Sequence, residues 1–113
     1  MSVNLARLER FTATGAAAIS KSFPSSDTPC VIRGIRLHLS SAPTTSESFT
    51  ITLNDKTGAA YDTLLYTNDL SVGSVTDVYY AEDVYLEAGD YVDVAYTNTD
   101  TRTYGLTILA EIY

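Results

Sequence analysis

The chain has no tryptophan, one cysteine, one histidine and only two lysines among its 113 residues. Cys30 alone leaves no intrachain disulfide to staple the fold. It stands in Pro29-Cys30-Val31-Ile32, at the entry to an apolar run, where a free thiol behaves as a small buried hydrophobe. One histidine and one cysteine are too few for a zinc cluster. Two lysines and five arginines against fourteen Asp and Glu leave a net charge of −7, the wrong balance for tracking nucleic-acid phosphates. No apolar stretch approaches the ~18 residues of a membrane span. Met1 to Arg10 lacks the apolar core of a secretory signal, so the expectation is a chain that stays in the compartment where it is made. There is also no Ala/Leu/Glu/Lys run of helical period.

What the chain has is the vocabulary of strands: nine tyrosines, many Thr and Val, and turn residues at short intervals. Leu86-Glu87-Ala88-Gly89-Asp90-Tyr91-Val92-Asp93-Val94-Ala95-Tyr96 states the pattern most clearly. Gly89 accepts a positive φ without steric cost, Asp90 can bond back to the turn backbone, and Val92, Val94 and Tyr96 then share one face. The same alternation places Ile35, Leu37 and Leu39 opposite Arg36 and His38. It also aligns Phe49, Ile51 and Leu53, and runs through Tyr104, Leu106, Ile108, Ala110 and Ile112. Short strands are expected over Phe11–Thr14, Ala18–Phe23, Cys30–Ser40, Phe49–Leu53, Ala60–Thr67, Val75–Tyr80, Val84–Glu87, Tyr91–Thr97 and Tyr104–Ile112. Turn signals such as Asn54-Asp55-Lys56-Thr57-Gly58 lie between them. The fold class is all-β: an antiparallel β-sandwich, a jelly roll of about eight short strands. An immunoglobulin-like sandwich fits less well, because its inter-sheet cysteine pair and buried tryptophan are missing. The domain reading is an N-terminal arm over residues 1–10 and one sandwich over 11–113.

Catalytic chemistry finds little to work with. His38 reads as a surface residue beside Arg36. Cys30 shares its face if the strand is regular, but more than about 20 Å away at ~3.3 Å per residue, too far for a nucleophile and base. The carboxylates Asp62, Asp69, Glu82, Asp83, Glu87, Asp90 and Asp93 offer many pairs, yet a domain this small has little room for the cleft that glycoside hydrolysis needs. Asn54-Asp55 and Asn98 to Asp100 are the loops with oxygen ligands for calcium, and both read more simply as turns. The expectation is a non-enzyme with no cofactor and no metal.

Binding is the better prospect. Tyr79 and Tyr80 are consecutive, so one must face away from the core, and Tyr91 opposes Val92 in the same sense. Tyrosine suits protein interfaces and sugar platforms alike, although the absence of tryptophan weakens the sugar option. Apolar residues occur on both faces at Val31/Ile32, Leu64/Leu65 and Ile108/Leu109, where an isolated sandwich would keep one face polar. Another chain is therefore expected to cover part of an outer face. Val3, Leu5, Arg7, Leu8 and Arg10 give the first ten residues the look of a docking arm, with Tyr79, Tyr80 and Tyr91 as further partner contacts.

The Leu86-Glu87-Ala88-Gly89-Asp90-Tyr91-Val92-Asp93-Val94 turn and strand, followed by Tyr104-Gly105-Leu106-Thr107-Ile108-Leu109, resembles the last strands of trimeric jelly-roll domains, the tumour necrosis factor-like and complement-type globular heads. As a small, acidic, Thr/Tyr/Ser-rich domain, the whole chain resembles bacteriophage virion accessory proteins, among them the head decoration (cement) proteins. That resemblance implies a virion structural protein: a homotrimer bound to the major capsid protein, stabilising the shell, without nucleic acid or membrane as partner. The alternative is a carbohydrate- or receptor-binding β-sandwich module of a phage fibre or tail appendage. A small hydrolase using Asp or Glu is the remote third option.

Overall fold

The structure, a computed structural model, describes residues 7–113. The nine strands are β1 (Arg7–Gly15), β2 (Ile19–Phe23), β3 (Cys30–Leu39), β4 (Ser48–Asn54), β5 (Thr63–Asp69), β6 (Asp77–Tyr80), β7 (Val84–Leu86), β8 (Tyr91–Tyr96) and β9 (Tyr104–Ile112). A 3-10 turn, Ala59–Tyr61, precedes β5. The strands form two antiparallel sheets. The first, sheet A, has the order β1-β9-β3-β6, with β7 continuing the β6 edge against β3. The second, sheet B, has the order β2-β8-β4-β5.

These ladders follow the logic of one long hairpin rolled on itself. With β6 and β7 counted as one interrupted strand, first pairs with last (β1 with β9), second with next-to-last (β2 with β8), third with β6/β7, and β4 with β5. The additional β3–β9 and β4–β8 ladders roll that hairpin into two sheets. This is jelly-roll connectivity.

Alternation in the sequence becomes burial in the sandwich. Val92, Val94, Tyr96 and the even-numbered residues of β9 from Tyr104 to Ile112 face the core, together with Ile35, Leu37, Leu39, Phe49 and Ile51. Phe11 and Phe23, with ring centroids 6.0 Å apart, close the side of the sandwich between β1 and β2. Tyr66 and Tyr80, 5.9 Å apart, close the other side. Asp90 explains why the Gly-Asp turn is so well defined. Its carboxylate accepts the backbone N–H of Glu87 at 3.0 Å and of Lys56 at 2.9 Å, tying the β7–β8 turn to the β4–β5 loop. Gly89 supplies the positive φ of 95°.

Three details differ from the sequence reading. The strand expected from Phe11 is already formed at Arg7, the first described residue, and pairs without interruption to Gly15, so residues 7–10 belong to β1 and no structural break falls at residue 10. The strand expected from Ala60 starts at Thr63, and Leu65 occupies a bulge, which resolves the adjacent leucines by placing Leu64 outward and Leu65 half-buried. A second bulge lies between Ile32 and Gly34 in β3. One extra residue inverts the parity, so Cys30 is buried in the core while His38 faces outward. Burial pushes the Cys30 thiol pKa up.

Candidate interaction surface

The bulge in β3 also shapes the outward surface of sheet A. Reading across the ladders, Leu8, Glu111, Val31 and Tyr85 form one outward row, and Thr12, Thr107, Arg36 and Tyr79 another. Arg10 and Leu109 stand opposite each other between these rows. Arg33, the extra residue, reaches β9 and the gap between β6 and β7. Its Nη1 donates to Asp83 Oδ2 at 2.7 Å and its Nε to Glu111 Oε1 at 3.1 Å. These bonds push the Arg33 pKa up, and Arg33 holds the Glu111 carboxyl below the usual range. Val31 is 3% exposed although it faces away from the core, so side chains of the outer face itself cover it.

Four large side chains on or bordering this face are open to solvent: Leu8 (76%), Tyr79 (61%), Tyr85 (73%) and Tyr113 (62%). Tyr79 is held in place from below. A Cβ on Gly34 would come within 2.8 Å of the Tyr79 ring, so the ring lies on bare backbone. Beside it, Arg36, His38, Asp77, Gly105 and Thr107 line an open depression of about 610 Å³. His38 Nδ1 and Asp77 Oδ1 are 2.6 Å apart, and this bond holds the Asp77 carboxyl below its ordinary value. Among the described residues Arg10 and Arg36 form no ion pair. The face therefore presents apolar and aromatic area with free guanidinium charge, on a protein whose net charge is −7.

The expected contact residues are divided among several surfaces. Val3 and Leu5 lie outside the described residues. Leu8, Arg10 and Tyr79 share the outer face of sheet A, the first two on β1 and Tyr79 on β6 at the other edge. Arg7 points to the opposite side of its strand and pairs with Glu9 at 2.9 Å. Tyr80 is half-buried against Tyr66 at the closed side of the sandwich. Tyr91 faces outward on sheet B, beside Ser22 and Pro24. Tyr85 was missed, although its place between the inward Val84 and Leu86 makes it outward by simple alternation. Arg33 could not be placed without the bulge.

The loops considered for calcium spend their oxygens on turn geometry. Asp100 accepts the N–H of Thr44 and of Thr45, both at 2.8 Å, and the Thr45 hydroxyl at 2.7 Å. Those bonds, led by the Thr45 N–H, hold its pKa down to about 2. Buried Asn98 donates to the carbonyls of Ala17 and Arg102 and accepts the Arg102 N–H. Asp55 caps Thr57, and Asn54 donates to Asp93. Among the described residues no group of three or more His, Cys, Asp or Glu is arranged to hold a metal ion.

No protein-family model matches the chain, and no curated protein matches it by sequence. Among solved structures, a chain in the acidic stable capsid structure of Helicobacter pylori bacteriophage KHP30 aligns with a TM-score of 0.52 at 14% identity, covering 95% of this chain and 94% of that one. The Yersinia pseudotuberculosis-derived mitogen aligns with a TM-score of 0.45 at 13% identity, covering 96% of this chain and 88% of that one. At 14% identity the likeness to the capsid-structure chain is one of fold.

Proposed function

We propose that this chain is a non-enzymatic structural protein of a phage virion, a decoration subunit that docks on the major capsid protein and stabilises the shell. The outer face of sheet A carries the reading. Leu8, Leu109, Tyr79 and Tyr85 supply apolar contact area, and Arg10 and Arg36 supply unpaired charge for an acidic partner surface. The end-to-end fold likeness to a chain of a phage capsid structure supports it. The mechanism is mass action: a ligand that binds only the assembled shell stabilises it in proportion to occupancy and affinity. Val3, Leu5 and Arg7 are further docking residues in this reading, and the assembly on the shell is a homotrimer.

The test uses shells of the phage that carries the gene, stripped of this chain and mixed with the purified protein. Saturable co-sedimentation is expected, with binding lost in a Leu8→Asp, Arg36→Glu double variant and retained in Thr50→Glu on the opposite sheet. Absence of binding, or equal loss in both variants, overturns the proposal. Light scattering coupled to size exclusion tests the trimer.

A second reading has one specific observation behind it. The exposed Tyr79 ring beside Arg36, His38, Asp77 and Thr107 has the composition of a saccharide platform with polar edges. Glycan-array binding that disappears in Tyr79→Ala, with no binding to shells, would favour a carbohydrate-recognition module of a fibre or tail appendage.

A further inference from the structure

Two sheets in an open sandwich leave four free edges, and unpaired backbone along an edge is a template for another strand. Three of the four are blunted. Strand β2 is five residues long, carries Lys21 and runs directly into Pro24. Strand β5 is bent by the bulge at Leu65. The third edge is broken into β6, of four residues, and β7, of three, with Glu82 and Asp83 in the gap. Strand β1 carries charge at Arg7, Glu9 and Arg10 but has no break, bulge or proline. Its nine described residues span about 30 Å at ~3.3 Å per residue and pair with β9 in unbroken register. It contains no proline and no lysine, and among the described residues nothing pairs with its free edge.

We infer that β1 is an assembly edge and that its occupant is β1 of a second copy of this chain, antiparallel about a two-fold axis through Phe11. An axis normal to an antiparallel pair sets one residue opposite its own copy. An axis at Glu9 opposes two carboxylates and one at Arg10 opposes two guanidinium groups, both destabilising. The axis at Phe11 pairs the nine described residues of β1 and sets no like charges directly opposite. Arg7 then meets Gly15 of the other copy, Leu8 meets Thr14, Glu9 meets Ala13 and Arg10 meets Thr12. The inward side fits as well. A pocket lies between the β2–β3 loop and Arg7 and Glu9 of β1, and beside it the other copy presents only Ala13 and Gly15. Half-buried Phe11, packed on Phe23 at 6.0 Å, is covered by its counterpart. The inference rests on the free edge and not on the virion reading. Being two-fold, the contact is separate from those of a trimer and would join one trimer to the next.

Position-specific cross-linking is the test. Arg10→Cys and Thr12→Cys both lie on the outward side of β1, where the fold tolerates them, and Cys30 is 2% exposed and contributes no background. The two variants, mixed at the highest soluble concentration under mild oxidation, are expected to give a mixed disulfide dimer, because opposed Cα atoms lie within ~4.5–5.5 Å. Arg10→Cys mixed with Leu8→Cys is expected to give several-fold less. Leu8→Lys, Thr12→Lys, which places lysines along the edge, should abolish association through β1 while far-ultraviolet circular dichroism stays unchanged. Equal cross-linking in both mixtures, or no cross-linking in either, overturns the inference, as does an oligomer unaffected by the lysines.

Discussion

The two outer faces of the sandwich are built by the same alternation and carry opposite content. On sheet B most outward positions hold small side chains, Ser20, Ser22, Ser48, Thr50, Thr52 and Ala95, beside the Asp93 carboxylate, which bonds Ser22 and Asn54, with Leu64 and Tyr91 as the large exceptions. On sheet A they hold Leu8, Leu109, Tyr79, Tyr85, Arg10 and Arg36, over a Val31 that is buried without touching the inter-sheet core. Apart from Arg102, every arginine lies on strands of sheet A. A face of short hydroxyls satisfies itself and interacts with water. A face of exposed aromatics and unpaired guanidinium groups has contact energy that only a partner can use.

The contrast can be broken most directly at Val31. Val31→Ala removes apolar volume that the outer face of sheet A packs over, and is expected to cost about 2 kcal/mol. Thr50→Ala, at the centre of the sheet B face, is expected to stay within ~0.5 kcal/mol. Urea denaturation of both variants measures the difference; equal losses would mean that the two faces are packed alike.

Gly34→Ala sharpens the comparison. The new methyl must displace the Tyr79 ring, at a cost of ~1 kcal/mol or somewhat more. A Gly34→Ala, Tyr79→Ala double variant should recover most of that loss in a double-mutant cycle. Additive losses would show that the ring does not rest on Gly34.

The smallest effect concerns acid. Asp100, in the β8–β9 turn, has its pKa lowered to about 2 by bonds from Thr45 and Thr44, against an ordinary value of about 3.9. A lowered folded-state pKa means that its contribution is complete above the unfolded value and lost as pH falls through the folded one. Asp100→Asn should therefore lower stability at neutral pH, with the gap to the parent closing between about pH 4 and pH 2. Thermal melts across that range test it; a gap that persists below pH 2 would place the effect in the loop geometry and not in the charge.

Much of this molecule was legible in its sequence. The β-sandwich class, the Gly-Asp turn, the inward faces of β4, β8 and β9, and the outward side of Leu109 all follow from period-two alternation and turn chemistry. Both devices act within a few residues along the chain, so local sequence carries them. The arm boundary at residue 10 was not legible, because Arg7 to Arg10 become strand only through pairing with Leu109 to Ile112, about a hundred residues later. Tyr80 and Tyr91 looked like companions of Tyr79, but alternation assigns each only to one side of its own strand.

Alternation and turn signals by themselves determined that the chain is an all-β sandwich with a definite inside for most strands. Only the tertiary structure decided which outward rows lie side by side, where the bulge at Arg33 inverts the parity of β3, and that β1 is left with a long unpaired edge. Side-chain parity is a property of one strand, whereas neighbours, bulges and edges are properties of ladders between strands far apart in sequence.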